Sequence, residues 1–532
     1  MKARRFLAVV LAVILVLLGL GGTAWWLVWQ RSPLQLQQRA LLMPRAARFV
    51  PRDVDLSLHL LSDGELPLAY ARAVAPPRRR VDAAASLARL RDGAFAAAGL
   101  DYPGELASWL GPETGLWLLA GEERRPAGWV LALSSRDGDG ARRFLQRFWQ
   151  TRSLAGADLQ VTSYRGMGLI SGRAALLGRE PVPVATALID DDLVLLASGR
   201  GLLEQALDVS QIDELNQAAD PAFRHSLERL GQGVMLLTAR PGALTDWLGS
   251  ELPGAGSLVA AVRPQGPDLL LEGWLEPAPE GTVPAGEVGG EPFPAGAGGD
   301  AGAALLAALR GEALGLALLQ DPAHWPRAWQ ERLQPWLLTD TLQGAPPLPA
   351  RLAAAAEGPL LVRQAAGEGW LLGSSADSPD PALLEAELAR DGLIAAPLAL
   401  EGGTVQVWTR LEAPARRRGG TADQLQASLV GARQQRGGLA WWSDSLAALA
   451  EQETRQTPRL LLERLDALGL PGAPLRWVLA AEPARQLLEG WFPWRLLSGL
   501  AAQPLAEPVQ GLGLALQGED GGLHLRARLS YG

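Results

Sequence analysis

The sequence predicts an α+β protein: an N-terminal transmembrane helix, then two tandem duplicated domains, each an antiparallel sheet with packed helices. Three observations carry this reading. Residues 6–29 are uncharged and almost wholly apolar. Apolar segments of strand length alternate with short helical patterns and are joined by turns too tight for parallel crossovers, which need a dozen or more residues. Segments of the first half also recur in the second at offsets of about 240 to 254 residues, which points to an internal repeat.

The apolar run follows Lys2, Arg4 and Arg5. At about 1.5 Å per residue it reaches roughly 36 Å, enough for a hydrocarbon core of about 30 Å. Gly22-Thr23-Ala24 offers the small residues of a cleaved signal, but the run continues through Trp25, Trp26 and Trp29. That exceeds the length of a signal h-region, and indoles suit a headgroup boundary, so an uncleaved signal anchor over residues 1–30 is favoured. The basic N-terminal flank predicts an N-terminus inside, although Arg31, Arg39, Arg45 and Arg48 oppose it. Long domains translocate largely regardless of charge, which places the bulk in a periplasm or thylakoid lumen.

Residues 31–276 are expected to form the first repeat. Val54-Asp55-Leu56-Ser57-Leu58 alternates with period two, residues 116–120 and 129–135 are apolar strands, and residues 141–149 place Phe144, Leu145, Phe148 and Trp149 on one helical stripe. Residues 184–198 form a hairpin about Asp190-Asp191-Asp192, and residues 259–275 a closing hairpin. Residues 300–532 repeat this pattern. Glu357-Gly358-Pro359 matches Gly111-Pro112-Glu113, residues 370–377 match 129–137, residues 429–444 match the first hairpin, and residues 513–529 match the closing one. Between the copies, residues 277–299 are dominated by proline, glycine, alanine and glutamate and are expected to be a linker without enough apolar surface to order itself.

Particular segments resemble a known group. Residues 44–60, Gly99-Leu100-Asp101-Tyr102-Pro103 with Leu110-Gly111-Pro112-Glu113, Tyr164-Arg165-Gly166, and Asp191-Asp192-Leu193-Val194-Leu195 with Gly199 are similar to an uncharacterised, membrane-anchored cyanobacterial family, domain of unknown function 3352. The likeness covers most of the first copy and, more faintly, the second. It implies a bacterial envelope or thylakoid setting and brings no catalytic residues to carry over.

Composition narrows the chemistry. Residues 1–52 hold eight basic groups and no acid, so taking +8 from the chain's −8 leaves −16 for residues 53–532. An acidic body argues against a nucleic-acid partner, and a basic start suits an anionic membrane. With no cysteine there are no disulfides or thiolates, and with lysine only at position 2 there is no P-loop. The four histidines, His59, His225, His324 and His524, lack metal-ligand spacing and read as surface or hydrogen-bonded structural groups. Ser134-Ser135-x-Asp137 and Ser374-Ser375-x-Asp377 suit helix capping, and the Asp190–Asp192 triplet suits a turn more than a cation site. No catalytic, cofactor-binding or metal residues are assigned.

Two groups remain as contact candidates. Arg78-Arg79-Arg80 and Arg416-Arg417-Arg418 suit an anion or partner contact if they are more than solvated loops. Trp491 has a repeat partner in Trp247 and reads as core, leaving Phe492 and Trp494 as the exposed aromatic patch. Trp325, Trp329 and Leu333 read as one helical stripe. The reading that results is a membrane-tethered extracytoplasmic scaffold or binding protein with an envelope or thylakoid protein partner and no cofactor. Its alternatives are a hydrolase with a cleft between the repeats and an apolar-ligand or lipid carrier, so enzymatic activity stays open with the balance against it.

Overall fold

The computed structural model describes residues 32–119, 127–152, 159–176, 181–246, 249, 255–277, 293–296, 302–331, 348–364, 369–400, 403–412, 426–454 and 457–532. The strands are β1 (Leu56–Leu60), β2 (Leu110–Leu119), β3 (Gly128–Ser135), β4 (Gln160–Tyr164), β5 (Met167–Ala174), β6 (Val182–Ile189), β7 (Leu193–Ala197), β8 (Met235–Ala239), β9 (Ala255–Gln265) and β10 (Asp268–Pro277). The second half supplies β11 (Gly315–Gln320), β12 (Pro359–Gln364), β13 (Trp370–Ser375), β14 (Ile394–Leu400), β15 (Gly403–Glu412), β16 (Gln426–Arg436), β17 (Leu439–Ser443), β18 (Leu475–Ala480), β19 (Val509–Glu519) and β20 (Gly522–Tyr531).

All twenty join one antiparallel sheet. The first ten lie side by side as 4-5-6-7-3-2-1-8-9-10. The second ten lie as 14-15-16-17-13-12-11-18-19-20, the same order with ten added to each number. The halves meet where β10 pairs with β20, from Leu269↔Leu529 to Leu275↔Leu523. The class is α+β, with helices laid over a large antiparallel sheet.

Local chemistry explains the elements. All five residues of β7, Leu-Val-Leu-Leu-Ala, are buried, because helices cover both faces of the sheet there. The helix Gly138–Arg152 lays Phe144, Leu145, Phe148 and Trp149 into the core, and the Trp149 indole donates to Thr186 Oγ1 at 2.9 Å. The β6–β7 turn needs positive φ at Asp190 and Asp191, a conformation aspartate tolerates, and the β16–β17 turn uses Gly437 and Gly438 in the same way.

Side chains alternate across the strands, so the core divides by face. On one face, Leu116, Leu131 and Leu133 lie beside Trp109, Phe144 and Phe148. A continuous cluster there crosses the join, holding Leu258 and Leu275 together with Leu516 and Leu523. On the opposite face, Leu236 and Val259 pack with Phe223 and Leu227 of the helix Pro221–Leu230, while Val478 and Ala515 pack with Leu461 and Leu465 of the helix Arg459–Asp466. The helix Arg80–Ala97 also reaches across, setting Gly93 against the backbone of Leu500 at the end of the helix Phe492–Leu500.

One expectation changes, and two others reach beyond the described residues. The transmembrane segment over residues 1–30 lies outside the described residues, and among those described no helix is long and apolar enough to cross a membrane. In the expected linker, residues 293–296 are ordered. Phe293 is buried against the Trp325 and Trp329 rings, and the Pro294 carbonyl accepts from Gly518 N–H at 2.9 Å. One aromatic side chain supplies the apolar area that the surrounding composition lacks. Trp325 and Trp329 are core as expected, whereas Leu333 lies outside the described residues.

Candidate functional site

A group of ionisable and aromatic side chains lies where the halves meet, on the face shared by the helices Pro221–Leu230 and Arg459–Asp466. β10 contributes Asp268, Glu272 and Trp274, and β20 contributes His524, Arg526 and Arg528 at alternate positions, so all six project from one face. Glu272 accepts from His524 Nε2 at 3.0 Å and from Arg526. His524 Nδ1 lies 3.8 Å from Glu519. Arg528 Nε donates to Asp268 at 2.7 Å.

The His524 ring stacks on Trp274 at 3.9 Å, with 11° between the planes. On Trp274 the Arg229 guanidinium also sits 3.6 Å from the ring centroid, and Arg229 pairs with Glu519 at 2.7 Å. Arg526 and Arg528 continue to the carbonyls of Leu468, Gly469 and Ala467, just beyond the helix Arg459–Asp466. Burial raises the cost of charging Glu272, but the hydrogen bonds from His524 and Arg526 outweigh it and hold the carboxyl at about 2.

This arrangement is a stitch. A general base needs a ring nitrogen open to a substrate proton. Here one nitrogen of His524 is hydrogen-bonded to the Glu272 carboxylate and the other faces Glu519, so neither is turned toward open space. The cluster ties strand to strand and each half to a helix of its own.

The sequence-derived candidates lie elsewhere. Arg78, Arg79 and Arg80 are exposed at the start of the helix Arg80–Ala97. Arg416, Arg417 and Arg418 lie outside the described residues. The aromatic patch needs correction: Trp494 is 9% exposed and Phe492 half-buried, whereas Trp491 is 40% exposed. Trp491 precedes the helix Phe492–Leu500, and the helical turn carries Trp494 inward against the core. The Asp190–Asp192 carboxylates are taken by arginines, Asp190 and Asp192 by Arg45 and Asp191 by Arg142, as a turn beside a basic surface would have them. Ser135 Oγ accepts from Asp137 N–H at 3.0 Å, one residue before the helix Gly138–Arg152 begins, and in the second half it is Asp380, beyond Ser374-Ser375-x-Asp377, that caps the helix Pro381–Arg390 by accepting from Ala382 N–H at 2.9 Å. A shallow open hollow of ≈ 540 Å³ beside Gly93 is lined by Asp92, Asp101 and Arg152, and Arg152 is spent on Glu105 at 2.8 Å.

Residues 10–529 match the family model described as a protein of unknown function, DUF3352. The chain belongs to the DUF3352 family. No curated protein matches it. Among solved structures, crystal form I of TP0453 is similar at 12% identity over 44% of this chain and 80% of that one, with a TM-score of 0.27. Crystal form IV of TP0453 is similar at 11% identity over 43% and 79%, with a TM-score of 0.26.

Two parts of this DUF3352 chain escaped sequence reasoning. The stitch pairs residues about 250 positions apart, and its signal was the alternation of acids on one closing hairpin with bases on the other. The other is a buried polar group on β1 and its neighbours. Ser57 Oγ and Thr238 Oγ1 are 2.6 Å apart and Gln217 donates to Thr238 at 3.0 Å, while His59, wholly buried two residues on, has the Gln217 amide nearby but no well-formed hydrogen bond at either ring nitrogen among the described residues. Burial pushes the His59 imidazole down to about 4.

Proposed function

We propose that this DUF3352 protein is a membrane-tethered scaffold or binding protein on the outer side of a cyanobacterial envelope or thylakoid membrane, with a protein of that membrane as its partner. The observation that carries the reading is the uncharged run at residues 6–29 behind Lys2, Arg4 and Arg5, long enough to span a bilayer. The stitch supports a scaffold role, because its histidine and carboxylates are spent on one another and hold two halves together.

Within this reading the body is a duplicated unit, residues 31–276 and 300–532. Support comes from the matching strand order and from equivalent hydrogen bonds. Trp129 N–H donates to Ser198 Oγ, and Trp370 N–H to Asp444 Oδ1.

The test is fractionation and topology. The full chain resists alkaline carbonate extraction from membranes, deletion of residues 1–30 abolishes that resistance, and a reporter active only outside the cytoplasm works when fused after Gly532. Extraction of the full chain, or activity only of a cytoplasmic reporter, overturns the reading.

A further inference from the structure

The helix Arg80–Ala97 opens on an arrangement that its own electrostatics disfavours. Cations are repelled by the partial positive charge at a helix N-terminus, yet Arg78, Arg79 and Arg80 all sit there. All three are exposed, and Val81 after them is 73% exposed. Arg79 donates to the Gly532 main-chain oxygen at 3.0 Å and Arg80 to the Ala75 carbonyl at 3.4 Å; among the described residues none of the three pairs with an aspartate or glutamate side chain. Among the described residues Arg78 makes no hydrogen bond, and no carboxylate side chain neutralises any of the three.

Their position is the second observation. Leu36, in the short 3-10 helix Pro33–Gln38, packs against Leu66, Tyr70 and Val74 of the helix Leu66–Val74. Tyr70 Oη in turn donates to the Gly266 carbonyl at 2.7 Å, fixing this corner to the β9–β10 turn. Val74 lies four residues before Arg78, and Leu36 four residues after Ser32, where the described chain begins. The apolar run ends at Trp29, and three residues span at most about 11 Å. The triplet and the point where the run joins the fold therefore share one corner of the molecule.

We propose that Arg78, Arg79, Arg80 and Val81 form a contact for the anionic headgroups of the bilayer that the tether enters, holding one chosen side of the body against the membrane. The proposal rests on the tether reading above. Guanidinium groups match phosphate oxygens in pairs, and the valine adds a small apolar tip beside them. The rest of the body needs such a contact to lie flat, because residues 53–532 carry −16 and are repelled by an anionic surface. An acidic peptide offers similar chemistry, but the tether's reach keeps this corner beside lipid.

The chain has no cysteine, so single labelling sites are clean. The full chain is labelled with an environment-sensitive dye at Val81→Cys, or at Leu383→Cys as an exposed control on the helix Pro381–Arg390, and reconstituted into lipid nanodiscs. The discs are phosphatidylcholine alone, or with phosphatidylglycerol added, each with a nitroxide-lipid quencher. Expected is quenching at position 81 that rises with phosphatidylglycerol, falls at high salt, is lost in R78E/R79E/R80E and is retained in R78K/R79K/R80K, with position 383 unchanged. Co-elution with discs but equal signals at position 81 in both lipids overturns the headgroup contact and leaves the tether standing. No co-elution with either disc overturns the tether and the contact with it. A dye response to polyglutamate in detergent, with none to phosphatidylglycerol, overturns the lipid assignment in favour of an acidic peptide.

Discussion

Glu272 and His59 are the two side chains whose ionisation the fold shifts furthest in ways that pH can probe. His59 is held neutral by burial at about 4, below its usual 6.5. Because the folded value is depressed, the unfolded chain takes up the proton first, and the stabilisation is complete above about 6.5 and lost as pH falls toward 4. Glu272, held at about 2 against an ordinary 4.5, contributes in a second window, complete above about 4.5 and lost toward 2. Each window is worth on the order of 3 kcal/mol at most. Urea midpoints measured from pH 7 to 3 should fall in two steps, and His59→Leu should flatten the upper step alone; an unchanged slope between pH 6.5 and 4 in that variant would show that His59 is not the group responsible. Neither shift was legible from the sequence. His59 stands in an ordinary alternating strand, and its burial comes from Gly115 beside it on β2 and Ala46 above, neither of which announces a closed roof.

At the scale of elements, the strands were the readable part. β7 and the stripe on the helix Gly138–Arg152 follow from period alone, and the tight turn at Gly437 and Gly438 dictates its hairpin. What period cannot supply is which exposed edge meets which. β10 and β20 each close a hairpin, and either could have ended its sheet. Helix contacts across the halves were equally hidden, and Gly93 shows why. A Cβ built there would lie 1.8 Å from the Leu500 carbonyl oxygen. Glycine to alanine inside a helix ordinarily gains up to about 1 kcal/mol, whereas overpacking costs about 1 to 3. Gly93→Ala should therefore lower the thermal midpoint, while Gly201→Ala in the helix Arg200–Val209, with nothing within 4 Å of its Cβ, should leave it level or raise it. A gain from Gly93→Ala would mean that the two helices are not in contact in solution.

For the whole molecule, the β10–β20 ladder and the core cluster beneath it make the halves depend on each other. Cleavage at an engineered protease site between residues 277 and 293 should leave two fragments that elute together and separate only in denaturant. Fragments that part in native buffer would place the stability of each half within itself. The same ladder sets an order in time. Its partners lie 248 to 260 residues apart, from Leu275↔Leu523 to Leu269↔Leu529. At about 5 to 20 residues per second, the ribosome delivers β20 roughly 12 to 50 s after β10. For that interval β10 presents an unpaired edge beside Glu272 and Trp274, and an unpaired edge invites strangers. Asp268 and Glu272, which Arg528, His524 and Arg526 later clasp, are then two carboxylates on an open edge, and charge on an open edge disfavours pairing with the wrong strand until the right one arrives.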